Sequence, residues 1–408
     1  MRLFSWVPLH RDPIKRNFFT WGRLPTLAFF CAILLLGRTI VHLSSDDEAE
    51  HFMKKVFILG VTSSSQTAEF TTCKNQSKPS ECVSLPSGII RSTTNLELQH
   101  LWKSPYPRKG KVNIEPLKTL LAMAVGIKQK EVVNQIVKKF SSTIDSTVML
   151  FHYDGFSSEW RDLEWIDKAL HVSVANQTKW WFAKRFLHPD IVAEYDYIFL
   201  WDEDIEVHHF NPKFYLSIVR REGLQISQPG LDFGQSEVHH RITVRSRKGD
   251  VHRRIYASTR SLKCDENSTG PPCTGWVEMM VPVFSKAAWR CTWHLIQNDL
   301  VFAWGLDYKL GYCAQGDRTQ NVGIIDSEYI VHKGIPSLGG SDMNKTNFGI
   351  PLDNSLSNAS TLKTKASGLP CYDSRTQVRL RSYAELRLFE ERWRKAASAD
   401  ACWRDPYP

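Results

Sequence analysis

From Leu117 onward, apolar runs of six or seven residues alternate with stretches of helical spacing. Thr119–Val125 (TLLAMAV) stops at Gly126, and Gln129–Phe140 then places Val132, Val133, Ile136 and Val137 on one helical face. Thr147–His152 (TVMLFH) ends in Tyr153-Asp154-Gly155. ALHVSV follows at 169–174, then a helical stretch at Lys179–Leu187. Tyr195–Trp201 (YDYIFLW) runs straight into Asp202-Glu203-Asp204. Strands alternating with helices need crossover connections, so the sequence predicts an α/β fold with a mostly parallel sheet flanked by helices. Ligands of such sheets bind beyond the carboxyl ends of the strands, where Asp154 and the acidic triplet both fall.

Three carboxylates at the mouth of a buried strand repel one another and lose hydration, which is costly without a cation. Hard oxygen ligands suit Mg²⁺ or Mn²⁺. Alternate residues of an extended chain point the same way, so Asp202 and Asp204 can share an ion while Glu203 faces elsewhere. A solvated acidic turn would show the same triplet, and the preceding YIFLW in its βαβ setting favours the ligand reading.

The N-terminus sets topology. Residues 24–43 form an apolar span of 20 residues, interrupted only by Arg38, enough to cross a hydrocarbon core of about 30 Å. Residues 1–23 carry five basic side chains against Asp12, and Asp46, Asp47, Glu48 and Glu50 follow the span. The positive-inside rule then predicts a 1–23 cytosolic tail, a 24–43 signal-anchor helix and a lumenal body. A cleaved signal peptide is the rival, with an overlong basic region and no evident small-x-small site. Five sequons, at Asn75, Asn176, Asn267, Asn344 and Asn358, are candidate glycosylation sites. Eight of the nine cysteines lie beyond the span, an even number suited to an oxidising compartment. Cys264 with Cys273 and Cys371 with Cys402 are two local pairings among many. Residues 44–110, rich in Ser, Thr, Lys and Pro, read as a stem. Residues 111–345 hold the patterned domain, and 346–408 form an extension whose Tyr383–Ala396 segment is an amphipathic helix, with Leu386, Leu388, Phe389 and Trp393 docking.

The net charge of +9 falls to +5 over 385 residues once the tail is set aside, so no nucleic-acid partner is expected. Neither GxGxxG, GxxxxGK[ST] nor CxxC occurs, so nothing supports a P-loop NTPase or a Rossmann dehydrogenase, and a structural zinc or thioredoxin-type centre is disfavoured. Lys179, Trp181 and Arg185 mix cations with aromatics and are candidate substrate contacts, although their helical spacing also suits a core-to-surface boundary. The basic stretch 239–254 suits a lid over a diphosphate or an ordinary solvated loop. His208-His209 and His239-His240 lack a helical partner and are weak ligands.

The setting of the acidic triplet resembles the nucleotide-sugar-dependent glycosyltransferases of the GT-A fold, in which a D-x-D holds a divalent ion against the donor diphosphate. Trp304-Gly305-Leu306-Asp307 resembles their W-G-x-D acceptor motif, which implies Asp307 as general base and Trp304 as a substrate contact. Those families often have paired acids there, and here Leu306 precedes Asp307. Tyr329-Ile330-Val331-His332 places His332 as a third metal ligand beside Asp202 and Asp204. Glu278, a lone acid in GWVEMMVPVF, is the rival base, because burial raises a carboxyl pKa. Helix capping or a core hydrogen bond would account for Asp307 or Glu278 singly. Asp154 and Glu203 complete the substrate-binding set. From about Leu85 to Gly340 the chain also resembles a plant family of unknown function named "lysine ketoglutarate reductase trans-splicing related". The segments that carry this include LLAMAVGIKQK, NQTKWWFAKRFLHPDIV, EYDYIFLWDEDIEV, CTGWVEMMVPVFSKAAWRC and WGLDYKLGYCAQGDRTQNVGIIDSEYIVH. The resemblance implies a single-pass type II membrane protein with a glycosyltransferase-like domain.

Together these readings imply a Golgi membrane glycosyltransferase that uses Mn²⁺ or Mg²⁺, a nucleotide-sugar donor and a glycan acceptor. The alternative is a catalytically inactive glycan-binding or scaffold protein of the same membrane. In sealed microsomes, protease added outside should trim only the tail before the span and leave the body intact. Digestion of the body would refute the lumenal topology.

Overall fold

A computed structural model describes residues 78, 80–91, 117–259, 262–335 and 374–407. The anchor at 24–43, most of the stem, Asn75, Asn344, Asn358 and Cys371 lie outside these residues. Among the described residues no helix is long and apolar enough to cross a membrane.

In chain order the elements are α1 (Ser87–Arg91), β1 (Thr119–Val125), α2 (Lys130–Ser141), β2 (Ser146–His152), β3 (Leu170–Ser173), α3 (Lys179–Phe186), β4 (Tyr197–Trp201), β5 (Ile205–Glu206) and α4 (Pro212–Arg221). There follow β6 (Ile226–Leu231), β7 (Val251–His252), β8 (Ala257–Ser258), β9 (Lys263–Cys264), β10 (Val283–Ser285) and α5 (Lys286–Leu295). The chain ends with α6 (Asp307–Leu310), α7 (Arg318–Asn321), β11 (Val322–His332) and α8 (Ser374–Ala399). Local chemistry explains the helix starts. Thr178, Asn211 and Ser285 cap α3, α4 and α5 by accepting backbone N–H groups, and Pro212 opens α4 where no N–H is needed.

The sheet runs β3-β2-β1-β4-β10-β6-β11-β5, with β7 also paired to β11. It is mixed, a correction to the mostly parallel sheet expected. The pairings β1–β2, β1–β4, β2–β3 and β6–β11 are parallel, and those of β10 with β4 and β6 and of β11 with β5 and β7 are antiparallel. After β9 the chain returns in the reverse direction and inserts β10 between β4 and β6. An apolar run shows that a strand is buried but not which way it points, so this reversal left no mark in the sequence pattern.

The expected crossovers are present on the β1–β4 side, where α2 buries Val133, Ile136, Val137 and Phe140. Phe140 meets Phe199 and Trp201 edge-on at 5.0 and 5.5 Å. On the other face, the segment around α1 enters the core although it lies within the stretch read as a stem, with Cys82, Leu85 and Ile89 at 1% exposure or less. Helix α8 is longer than the segment expected. It buries Phe389 and Trp393 as predicted, while Leu388 is 39% exposed. Cys264–Cys273 and Cys291–Cys313 are disulfides, and Cys402 is disulfide-bonded to a residue outside those described.

Two segments far apart in sequence meet at Gly311. A Cβ built there would lie 2.1 Å from the Gly275 carbonyl oxygen, a backbone atom that cannot swing aside. Gly311→Ala should therefore lower unfolding stability by about 2 kcal/mol or more, whereas Gly249→Ala, with open space around it, should stay within about 0.5 kcal/mol. Urea unfolding of both variants checks this, and equal effects would contradict the close approach.

Candidate active site

Strands β1, β2 and β4 share one register, with Met123 beside Trp201 and Val125 beside His152. Gly126, Tyr153-Asp154 and Asp202-Glu203-Asp204 therefore emerge together at one edge of the sheet. Each acid finds a different partner there. Asp154 fixes its own loop, accepting Ile127 N–H at 2.6 Å and Phe156 N–H at 3.0 Å. Glu203, 5% exposed, turns inward, accepting Gly126 N–H at 2.6 Å and the Tyr153 hydroxyl. Burial, reinforced by Asp204 and Asp202, pushes its carboxyl up to about 8 against those hydrogen bonds. Both residues thus brace the site rather than line it.

Asp202 and Asp204 separate. The Lys179 ammonium, 7% exposed, lies 2.8 Å from Asp202 Oδ1 and donates to the carbonyls of Met279 and Met280 at 2.7 and 2.9 Å. Lys179 is a structural cation and not an open substrate contact. Asp204 meets His332 instead, because β5 and β11 pair with Ile205 opposite His332. His332 Nε2 lies 3.4 Å from Asp204 Oδ2, and Nδ1 faces the Glu237 carbonyl oxygen at 3.0 Å. Burial opposes charge on His332, but the Asp204 carboxylate and the Glu237 carbonyl outweigh it and raise the imidazole to about 9. Burial likewise opposes ionisation of Asp204, yet His332 and the Ile335 N–H, 2.7 Å away, hold its pKa below the usual value. Among the described residues no group of three or more His, Cys, Asp or Glu is arranged to hold a metal. The expected trio thus reduces, as the side chains stand, to the pair Asp204 and His332.

Asp307 and Glu278 approach each other from different segments. Asp307 opens α6, is 8% exposed and accepts Tyr308 N–H at 3.0 Å. Burial, with a contribution from Glu278, raises its carboxyl to about 7. Glu278 is anchored by its own N–H, which donates to Gln228 Oε1 at 2.6 Å, and its Oε1 lies 3.2 Å from His239 Nδ1. Oε2 is buried with no hydrogen-bond partner. His239, dismissed as a ligand in the sequence, is the residue that reading missed. Only its place near the acids in the fold gives it a role.

The remaining candidates lie elsewhere. Trp181 stacks under the exposed Arg185 guanidinium at 4.2 Å, a contact between surface side chains. Trp304 packs edge-on against Tyr383 of α8 at 4.9 Å. In the basic stretch Arg253 meets Glu222 at 2.9 Å and Arg245 lies over Tyr329 at 3.5 Å, while Arg241, Arg247 and Lys248 are exposed. Asn176 and Asn267 are exposed, as glycan attachment needs.

The chain belongs to the family "Protein of unknown function (DUF707)", whose model matches residues 76–399. That match names no activity and does not carry the plant-family name. A search of curated proteins finds no match. Among solved structures, S. aureus TarS 1–349 is similar at 8% identity with a TM-score of 0.33, over 52% of this chain and 59% of that one. The same protein in complex with UDP gives a TM-score of 0.31 at 8% identity, with the same coverage of 52% and 59%. The S. cerevisiae mannosyltransferase Ktr4p, in complex with GDP, gives 0.21 at 11% identity, over 36% of this chain and 50% of that one.

The Asp204–His332 pair has a definite pH signature. His332 is raised above its unfolded value of 6.5, so its contribution is complete below that value and is lost as pH climbs through about 9. In EDTA, the stability difference between the protein and His332→Ala should be largest near pH 6, on the order of 2–3 kcal/mol, and fade by pH 10. A difference that stays flat across this range in denaturant melts would refute the pairing.

Proposed function

We propose that this protein transfers a sugar from a nucleotide-sugar donor to a hydroxyl acceptor. The observation that carries the reading is a pair of differently tuned acidic centres linked through His239, whose ring lies 5.8 Å from that of His332 and whose Nδ1 lies 3.2 Å from Glu278, the acid that adds to the rise of Asp307. One is a carboxylate–imidazole pair with the ring held by a backbone carbonyl. The other is a buried acid, Asp307, near neutrality. The resemblance to GT-A enzymes supports the same roles.

The donor set fits a divalent ion in part. Asp204 and His332 would hold Mn²⁺ or Mg²⁺, since Glu237 fixes Nδ1 and leaves Nε2 facing the carboxylate, a common outer-shell arrangement at metal-binding histidines. Asp202 would stay with Lys179, engaged through Oδ1. When bound, such an ion supplies charge neutralisation on the departing diphosphate. Asp307, as carboxylate, takes the proton of the attacking hydroxyl, and its raised pKa suits a base working near pH 7. Glu203 and Asp154 keep the Gly126–Ile127 and Tyr153–Phe156 turns in place beside the donor side. In cells the same proposal puts the body in the Golgi lumen, anchored through 24–43 as a type II protein. The alternative, a silent glycan-binding or scaffold protein, draws on one observation: Lys179 already occupies Asp202.

The full chain in detergent, given Mn²⁺ and a panel of UDP- and GDP-sugars, should release nucleotide. Asp204→Ala and His332→Ala should each lower release about 100-fold, with Asp202→Asn milder. The rate should rise with pH through about 7 as Asp307 ionises, and Asp307→Asn should remove that rise. Nucleotide binding without release, in wild type and variants alike, would favour the silent protein.

A further inference from the structure

Glu278 and Asp307 belong to segments that the fold presses together. Gly311, just after α6, admits no side chain against the Gly275 carbonyl. The Trp276 ring, two residues before Glu278, meets the ring of Tyr308, next to Asp307, edge-on at 6.3 Å. The negative charge of Glu278 adds to the rise of the Asp307 carboxyl that burial causes. They are not equivalent. Asp307 Oδ1 is occupied by a local N–H, whereas Glu278 keeps one oxygen buried and unsatisfied. A buried acceptor with no donor is expensive in a folded chain, and a hydroxyl that donates to it relieves that cost.

The rest of Glu278 is fixed. Its backbone is tied to Gln228 on β6, which is fully buried, and its Oε1 faces His239 Nδ1. The other ring nitrogen of His239, Nε2, lies 3.3 Å from Glu237 Oε1. The Glu278 carboxylate only accepts, so Nδ1 of His239 carries the proton and donates to it, while Glu237 stands by as a second anion near Nε2. The His239 ring spans from the surface to the buried acid and sets the direction of Oε2. Tyr308, 41% exposed beside Asp307, adds an open aromatic face. Aromatic faces and paired hydroxyl acceptors are what a sugar ring presents itself to: its C–H face packs on the ring and its hydroxyls donate to carboxylates.

We infer that Glu278, positioned by His239, is an acceptor-recognition residue, and that the acceptor is a sugar offering two neighbouring hydroxyls rather than an isolated hydroxyl of a protein side chain. This rests on the transfer reading above. One hydroxyl gives its proton to Asp307 while its oxygen bonds to the anomeric carbon of the donor. The bond from that carbon to the nucleoside diphosphate breaks, and its electron pair leaves with the diphosphate. The second hydroxyl keeps its proton and donates it to Glu278 Oε2.

The test compares methyl glycosides of hexoses and pentoses with a threonine-containing peptide as acceptors, using the full chain, Mn²⁺ and whichever UDP- or GDP-sugar it consumes. Glycosides should be used and the peptide should not. Glu278→Gln should raise the glycoside KM about tenfold or more, the worth of one charge-assisted hydrogen bond, while Asp307→Asn should act on kcat. His239→Leu should repeat the KM effect, and His239→Asn, whose amide reaches the place of Nδ1, should recover it. Equal use of the peptide, or a Glu278→Gln effect confined to kcat, would overturn the inference and leave sugar transfer standing. If no donor is consumed, the transfer reading itself falls. Saturation-transfer NMR with the same glycosides then decides the recognition role: binding lost in Glu278→Gln supports it, and no binding to the wild type overturns it.

Discussion

One ammonium group joins the acidic end of β4 to the segment that leads into β10. Lys179 opens α3, reaches under the sheet edge and binds three oxygens: Asp202 at the end of β4 and the carbonyls of Met279 and Met280. Burial draws its pKa down, and the surrounding carboxylates of Asp202, Asp204 and Glu278 push it back up. A buried charge without such partners would cost several kcal/mol. The geometry is therefore rigid where it needs to be. Asp202 and Met280 also share a backbone hydrogen bond of 2.9 Å, which extends the β4–β10 pairing past the strand ends. Glu278 lies two residues before Met280, in the segment that Lys179 holds against Asp202.

The sequence was legible where periodicity alone decides structure. TLLAMAV became β1 with the bounds read from it, and YIFLW became β4 with the acids at its end. It was less legible where a tertiary partner decides. Alternation along a strand assigned Asp202 and Asp204 to one ion, and nothing in that spacing reveals that a lysine 23 positions upstream claims one of them. Glu203 was correctly turned away from the pair, but its use as a brace for Gly126 and Tyr153 needs the β1–β2–β4 register. In β6, ISQPGL reads locally as a turn, yet all six residues are buried. Pro229 is tolerated because β10 pairs only with Ile226 and Ser227, so no ladder partner on that side asks for its missing N–H.

Segments distant in sequence complete the surroundings of Asp307 and Glu278. Glu385 of α8 accepts the Phe302 N–H at 2.7 Å, and the Leu386 side chain fills the space over Gly305. Tyr407 covers Gly275 and Gly311, and Asp405 accepts the Tyr312 hydroxyl at 3.1 Å. The Ala396 methyl packs on Gly88 of α1, which brings in the segment before β1 as well. The turn from Trp304 to Asp307 is therefore held from outside by residues near the chain's end, and the loop carrying Glu278 is pinned by the same ring of Tyr407. The family match, from 76 to 399, takes in α1 and α8 as well as the sheet. The sheet fixes Asp202, Glu203 and Asp204 through strand register, but Asp307 and Glu278 have no strand of their own. Their separation is a packing distance, set by aromatic rings and by glycines that leave no room for a side chain. A packing distance tolerates less change in side-chain volume than a hydrogen-bonded ladder does, so the surroundings of Asp307 and Glu278 are where substitutions far from the acids will be felt first.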